Sequence, residues 1–505
     1  MIRPRLREDV SFSALACTLG AVLLGYAYTY YPWKVQVFVV GSICFVWLTW
    51  LRPEFSLYLL FMAMIMMTDS VQEESVGSAA GYFVIEEIKL PGLPSALNVI
   101  VVIIFSIQFF KLYLTGKKTS IISIKYLFIY ICVLLIALAT GAEHPKATSD
   151  LLRLEFMKML FPVLCFYASV NILDDYDKIR KMMWVLFLIC VVKSFILDVY
   201  YLAGRGFPFG EYKIVSYDSA ELMAFIVMLL YVIMMISYHV ITGVRAWLLA
   251  LSSVPLLFAV LFSFRRAHWL GMLCSMGLLY LWSPRLQRAR LKPYLLITLL
   301  LVFPAVCIIF FAGVLFPTLD FAGLSRISSR FSTLFDPSQD SNRHHFYESI
   351  QTMKDIMGSP ILGLGLASSH SPVDVDLGGW NEAGQPLHVV HNAFIYVWMK
   401  TGLFGFIFFM CCGYKYIKKI MHYQKHFRSS EYWPIAVSIG SAIGIWFMMF
   451  MTGPVPHYFH QTYFIALFSA MMISLIRIEK THFPELSVSA AHDHGYDFVN
   501  RAVLK

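Results

Sequence analysis

An all-α polytopic membrane protein is the fold class this chain predicts, and three observations predict it. The composition is 59% hydrophobic and 16% aromatic with only 14% charged residues. Apolar runs of the length a bilayer demands recur from one end to the other. Those runs are apolar on nearly every side, as at Met228 to Ile236 or Leu299 to Phe311, whereas a transmembrane barrel would alternate at every second residue.

Hydropathy places about 14 transmembrane helices along the chain. They fall near residues 11–31, 34–51, 54–68, 94–115, 124–141, 156–173, 182–203, 219–242, 246–264, 267–283, 294–316, 391–414, 432–452 and 457–477. The run 54–68 is the weakest of these. Arg3, Arg5 and Arg7 before the first run resemble the start of a signal peptide, but the run from Phe12 to Tyr31 is long and lacks a convincing small-residue cleavage site, so it reads as an anchored helix. The units expected are N-terminal helices at 1–217, helices carrying an arginine turn at 218–316, a large polar loop with short helices at 317–390, C-terminal helices at 391–477 and a polar tail at 478–505.

Charge sets the orientation. Lys117, Lys118 and Lys125, then Lys178, Arg180 and Lys181, then Arg285, Arg288, Arg290 and Lys292, then Lys415, Lys418, Lys419, Lys425 and Arg428 all fall in connections on one side. The alternate connections are acidic or mixed, with Glu73, Glu74, Glu86 and Glu87, then Glu143 and Asp150, then Asp336, Asp340, Asp374 and Asp376. By the positive-inside bias both termini are expected to be cytoplasmic and the large loop external. The formal charge of +9 is spread over short connections rather than gathered on a soluble face, so it implies membrane lipids and no nucleic acid. All nine cysteines lie in apolar runs and read as packing residues rather than disulfides or metal ligands.

Chemistry is expected on the side of the large loop. There the tight turn Phe264-Arg265-Arg266-Ala267-His268 sets two arginines against the charge bias. Within the loop, Asp340-Ser341 can cap a helix whose Phe346, Ile350, Met353 and Met357 share one stripe, stopped by Gly358-Ser359-Pro360 and resting on the membrane-facing surface of the bundle. The loop ends in His391-Asn392 at the mouth of the next apolar run. Arg266, Arg343 and His391 are the candidates for chemistry on a phosphate-bearing substrate. A guanidinium offers a fixed fork of donors to phosphate oxygens, and an imidazole can take a proton from a hydroxyl near neutral pH.

Each residue also has a plain alternative. Arg265 and Arg266 could snorkel to lipid headgroups, Arg343 could lie on a solvated helix face, His391 could be an interfacial histidine, and Asn392 could cap its helix. His344-His345, and His457 with His460, invite a metal, but no HExxH or Cys/His framework supports one and none is expected. Asp150, Glu155 and Asp218 on the outer side could meet acceptor hydroxyls or simply be solvated. No P-loop, GxGxxG or GxSxG stands in a strand–helix context, so ATP-driven, nicotinamide and serine-hydrolase chemistry lack support.

The motifs themselves resemble a known family. Phe264-Arg265-Arg266-Ala267-His268-Trp269-Leu270-Gly271 is similar to the S-R-G-x-W turn of the O-antigen ligase and O-antigen polymerase superfamily. Arg343 to Gly365 resembles its arginine-led loop helix followed by P-x-x-G-x-G, and His391-Asn392 through Gly402-Leu403-Phe404-Gly405 resembles its H-N-x-x-L…G-x-x-G. The resemblance covers roughly Asp218 to Gly405. It departs at Arg265 and Ala267, where serine and glycine are usual, and at Lys400, where glutamate is common.

That resemblance implies a bacterial inner-membrane glycosyltransferase with its site on the periplasmic face. The donor would be an undecaprenyl-diphosphate-linked oligosaccharide, and no metal or other cofactor would be needed. Arg266 and Arg343 would neutralise the diphosphate and His391 would position or deprotonate the acceptor hydroxyl for an inverting attack. Arg265, His268, Asn392, His388 and Asp218 are the expected substrate-binding residues around them.

Three acceptors compete within the family: another lipid-linked glycan (polymerase), lipid A-core (ligase) or a protein serine or threonine (oligosaccharyltransferase). The number of predicted spans favours the polymerase, with a chain-length regulator as a further partner. A transporter or flippase is the rival from another class, but most spans are apolar at their middle and the polar groups collect at one face.

Overall fold

The computed structural model describes residues 33–66, 96–115, 124–144, 148–204, 220–263, 265–285, 287–296, 298, 340–371, 390–427, 432–453, 455 and 459–482. The first predicted span, most of 294–316, the loop segments 317–339 and 372–389, and the tail beyond 482 lie outside the described residues, as do Asp218, His388 and His457.

Among the described residues the regular elements are helices, as the apolar runs require. Six stretches are long and apolar enough to cross a membrane: Lys125–Ala142, Tyr176–Val199, Gly243–Leu261, Ala393–Gln424, Trp433–Thr452 and Gln461–Thr481. Pro53–Met66, Ile100–Leu114 and Glu221–Ser237 are shorter apolar helices. The chain is a polytopic helical membrane protein.

The Ala220–Ser237 helix forms the centre of the bundle, with every side chain from Leu222 to Tyr231 at most 4% exposed. A helix that is apolar all round must be surrounded, and this one is packed by the helices Tyr176–Gly204, Val254–Leu261, Trp433–Ser441 and Phe459–His482. Two predicted spans are broken rather than continuous. The run near 246–264 divides into Gly243–Ser252 and Val254–Leu261, with Pro255 at the start of the second. The run near 432–452 divides at Ala442 into Trp433–Ser441 and Ile443–Thr452. The second piece packs backbone-close along the Arg266–Trp282 helix, where the Ile445 N–H donates to Ser275 Oγ at 3.0 Å.

The predicted span 391–414 is longer than expected, because its helix runs from Ala393 to Phe427 and carries Lys415 and Lys418 on its own turns rather than in a loop. Lys415 lies over the Tyr126 ring and Lys418 over Tyr414, which lets both ammonium groups end against aromatic faces. The same helix is kinked at Gly402, whose φ of 68° and ψ of −174° suit only glycine. The kink admits the backbone of residues 360–364. Leu403 N–H donates to the carbonyls of Ile361 at 3.0 Å and Pro360 at 3.1 Å, and Leu364 N–H donates to Met399 at 2.7 Å. Gly363, at φ 73°, lies so close that a Cβ there would sit 2.6 Å from the Gly402 nitrogen. The motif glycines are therefore a joint between the loop and the helix.

A second apolar cluster packs beside this joint, built from Leu134, Ala137, Met159, Ile356, Leu366, Val390, Tyr396 and Met399. It fixes the Asp340–Met357 helix and the start of the Ala393–Phe427 helix on one platform.

Candidate functional site

The Asp340–Met357 helix begins where Asp340-Ser341 predicts and ends just before Gly358. Its orientation differs in one respect from a simple amphipathic helix. The apolar stripe points outward, with Phe346, Ile350 and Met357 exposed, and borders an open groove of about 380 Å³ with Met353, Lys354 and Ile395. The face turned into the protein is a line at four-residue spacing of His344, Glu348, Thr352 and Ile356, all buried.

Glu348 is the centre of the site. Its side chain is 1% exposed, and His391 binds it twice. The His391 backbone N–H donates to Glu348 Oε2 at 3.0 Å, and His391 Nδ1 lies 3.1 Å from Oε2 and 3.3 Å from Oε1. A carboxylate can only accept, so Nδ1 carries the proton and the lone pair of the neutral ring belongs to Nε2. Asn392 caps the helix that follows: its Oδ1 accepts from the N–H groups of Phe394 at 3.0 Å and Ile395 at 3.2 Å. The cap fixes the backbone of His391, and Glu348 fixes its ring.

Three more imidazoles close around the same carboxylate. His345 Nδ1 lies 3.9 Å from Oε2, and His370 Nε2 lies 3.7 Å from Oε1. The ring of His391 lies 4.3 Å from that of His345 and 6.3 Å from that of His344. Burial alone would push the Glu348 carboxyl up, but His345, His370 and His391 outweigh it and hold the group well below the usual carboxylate range. Burial likewise opposes charge on His370, yet Glu348, the Ser371 carbonyl and Asp355 together raise its pKa. For His344 burial prevails over the attraction of Glu348, and its pKa falls.

His370 reaches the site because its loop is fastened at several points. Asp355 accepts from the Ser371 N–H at 2.6 Å and the Ser371 hydroxyl at 3.1 Å. Glu155 accepts from the Ala367 N–H at 2.7 Å, and Lys400 Nζ donates to the Ser368 carbonyl at 2.7 Å and to Glu155 at 2.9 Å. Glu155 is thus engaged inside the protein and does not face an acceptor as the sequence allowed. Asp150 is 85% exposed beside Arg153, the solvated alternative.

Arg343 stands next to His344 at the start of the loop helix and is half-buried. The arginine turn is built separately. Ser263 Oγ donates to the Val260 carbonyl at 2.7 Å and accepts from Arg265 N–H at 3.3 Å, while Trp269 Nε1 donates to Val260 at 3.0 Å. Arg265 and Arg266 are half-buried and His268 is buried in the first turn. Their helix meets the site through Ile443–Thr452, whose Phe450 ring lies 6.0 Å from that of Phe394. His391, Glu348 and their histidine neighbours are joined directly, whereas the arginine turn joins them through an intervening helix.

Sequence reading missed Glu348. The signal was there in the spacing His344, Glu348 and Thr352, which puts polar residues on one helical face opposite an apolar stripe. The chemical capacity of the arrangement is a preset base: a ring held at one nitrogen by a buried anion, with its second nitrogen available to accept a proton.

Residues 251–410 match the family described as O-antigen ligase. A protein of Rickettsia conorii (strain ATCC VR-613 / Malish 7), whose name describes a polysaccharide ligase, is 33% identical over 101 residues, covering 19% of this chain and 24% of the relative. The match spans about a quarter of that relative's length.

Proposed function

We propose that this chain is a member of the O-antigen ligase superfamily, which its residues 251–410 match, and that it is a membrane glycosyltransferase moving a glycan from an undecaprenyl-diphosphate carrier to a sugar hydroxyl at the periplasmic face of the inner membrane. The observation that carries this reading is the pair of hydrogen bonds from His391 to the Glu348 carboxylate, 3.0 Å from the backbone nitrogen and 3.1 Å from Nδ1. His391 Nε2 accepts the proton of the acceptor hydroxyl as its oxygen bonds to the anomeric carbon. The bond from that carbon to the phosphate oxygen breaks, the anomeric configuration inverts, and undecaprenyl diphosphate departs. Its growing negative charge is met by Arg343, on the helix that carries Glu348, and by Arg266. The reaction needs no metal in this scheme. The outward stripe of Phe346, Ile350 and Met357 suits the isoprenoid tail of the donor.

Polymerisation, with a second lipid-linked glycan as acceptor, is the preferred reaction. Ligation to lipid A-core is the second reading, favoured by the wording of the matched family and of the Rickettsia relative. Both use the same donor chemistry. The test incubates purified protein with a lipid-linked repeat unit alone and then with lipid A-core. A ladder without core indicates the polymerase and a product only with core indicates the ligase. Donor carried unchanged across a vesicle would replace both with transport.

A further inference from the structure

Nitrogen atoms of His344 and His391 and a carboxylate oxygen of Glu348 lie within 4.8 Å of one another. His391 Nδ1 itself lies 3.1 Å from Glu348 Oε2. Tetrahedral zinc holds imidazole nitrogen and carboxylate oxygen at about 2.0–2.2 Å, which sets neighbouring ligand atoms about 3.3 Å apart. One edge of such a site therefore exists, and a ligand nitrogen of His344 lies within 4.8 Å of the other two ligand atoms. A second observation points to the same spot. His370, whose side chain is 0% exposed, directs Nε2 at Glu348 from 3.7 Å, too far to hydrogen-bond, and that nitrogen has no hydrogen-bond partner among the described residues. Two nitrogen ligands and one carboxylate, with a further imidazole behind, suit a borderline cation such as Zn²⁺ and not Mg²⁺ or Ca²⁺, which prefer oxygen.

We propose that His344, Glu348 and His391 form a binding site for a divalent transition-metal cation, with Zn²⁺ as its representative, and that the bound ion switches glycan transfer off. The binding claim stands on the cluster alone; the inhibition claim rests on the proposed role of His391. A metal at Nδ1 displaces the hydrogen bond to Glu348 and leaves the ring proton on Nε2. The nitrogen assigned to accept the acceptor's proton then becomes a donor. Glu348 is drawn to the ion at the same time, so both halves of the pair are lost to catalysis together.

The test titrates zinc chloride into the purified full-length protein, with magnesium chloride as control, and follows glycan transfer in parallel. Expected are one equivalent of Zn²⁺ bound, no response to Mg²⁺, transfer lost in proportion to occupancy, and full recovery on adding a chelator. His344→Gln is expected to bind Zn²⁺ at least tenfold more weakly, and whatever transfer rate it shows without zinc is expected to persist at zinc concentrations that silence the parent. X-ray absorption at the zinc edge of the unaltered protein gives a check that needs no variant, with imidazole nitrogen and carboxylate oxygen expected in the shell. Absence of stoichiometric zinc binding, or a shell without imidazole, overturns the site. Transfer that needs zinc, or is unaffected at full occupancy, overturns the inhibition. Stoichiometric binding by a protein that transfers no glycan upholds the site and overturns the transferase reading instead.

Discussion

Lys400 and Glu155 form an ion pair of 2.9 Å with both side chains 0% exposed, and together they grip the backbone at Ala367 and Ser368. The carboxylate that pairs with Lys400 comes from a helix 245 positions earlier. Removing one partner strands a buried charge, which typically costs about 3–5 kcal/mol, whereas replacing both with apolar groups is often neutral. Lys400→Met is therefore expected to lower the thermal midpoint sharply, and Glu155→Leu with Lys400→Met to recover most of it. Equal midpoints for the single and double variants would remove the pairing from the account.

His391→Ala is expected to reduce transfer by about 100-fold or more, the scale of a lost general base, without loss of membrane insertion. Glu348→Gln keeps the shape but not the charge, so kcat should fall while KM for the acceptor holds. A raised KM with normal kcat would make Glu348 a structural support rather than a positioning residue.

Arg343→Lys tests the fork. If two guanidinium nitrogens meet the diphosphate, a point charge cannot replace them, and the lysine variant should transfer almost as poorly as Arg343→Ala. Arg266→Ala is expected to abolish transfer in a cell complementation assay, and full activity there would remove Arg266 from the site.

Gly402→Ala places a side chain at φ 68° against the Ile361 carbonyl. Alanine at such a position destabilises by more than about 1 kcal/mol before any clash is counted. The variant should give little folded protein on size-exclusion chromatography, and a normal yield would show that the joint can open.

Ile350→Glu puts a charge on the exposed stripe without touching the buried face of its helix. If the donor's tail lies there, KM for a long isoprenoid donor should rise several-fold while a short-chain donor is used as before. Equal KM changes for both donors would free the stripe of that role.

The helical membrane class was legible in the sequence because apolar runs without a two-residue alternation exclude a barrel and leave the helix to satisfy the backbone. The loop helix was legible too, from Asp340-Ser341 and the stop at Gly358. Its facing was not, since the pattern of Phe346, Ile350, Met353 and Met357 suggests burial equally well against protein or lipid. His391 and Asn392 stood out by their place at a helix mouth. Glu348 and His370 did not, because the contact between them spans a loop whose path depends on Gly363 and Gly402, and close approach of two backbones leaves no periodic trace. The breaks at Ser253 and Ala442 escaped hydropathy for a related reason, as both halves of each run are apolar.

The meeting of Gly363 with Gly402 has an evolutionary corollary. Where main chain touches main chain there is no side chain to exchange, so selection cannot adjust this hinge by small steps. A chain that keeps this joint can vary only at positions remote from the contact, because any Cβ at either glycine would fall on the other segment's backbone.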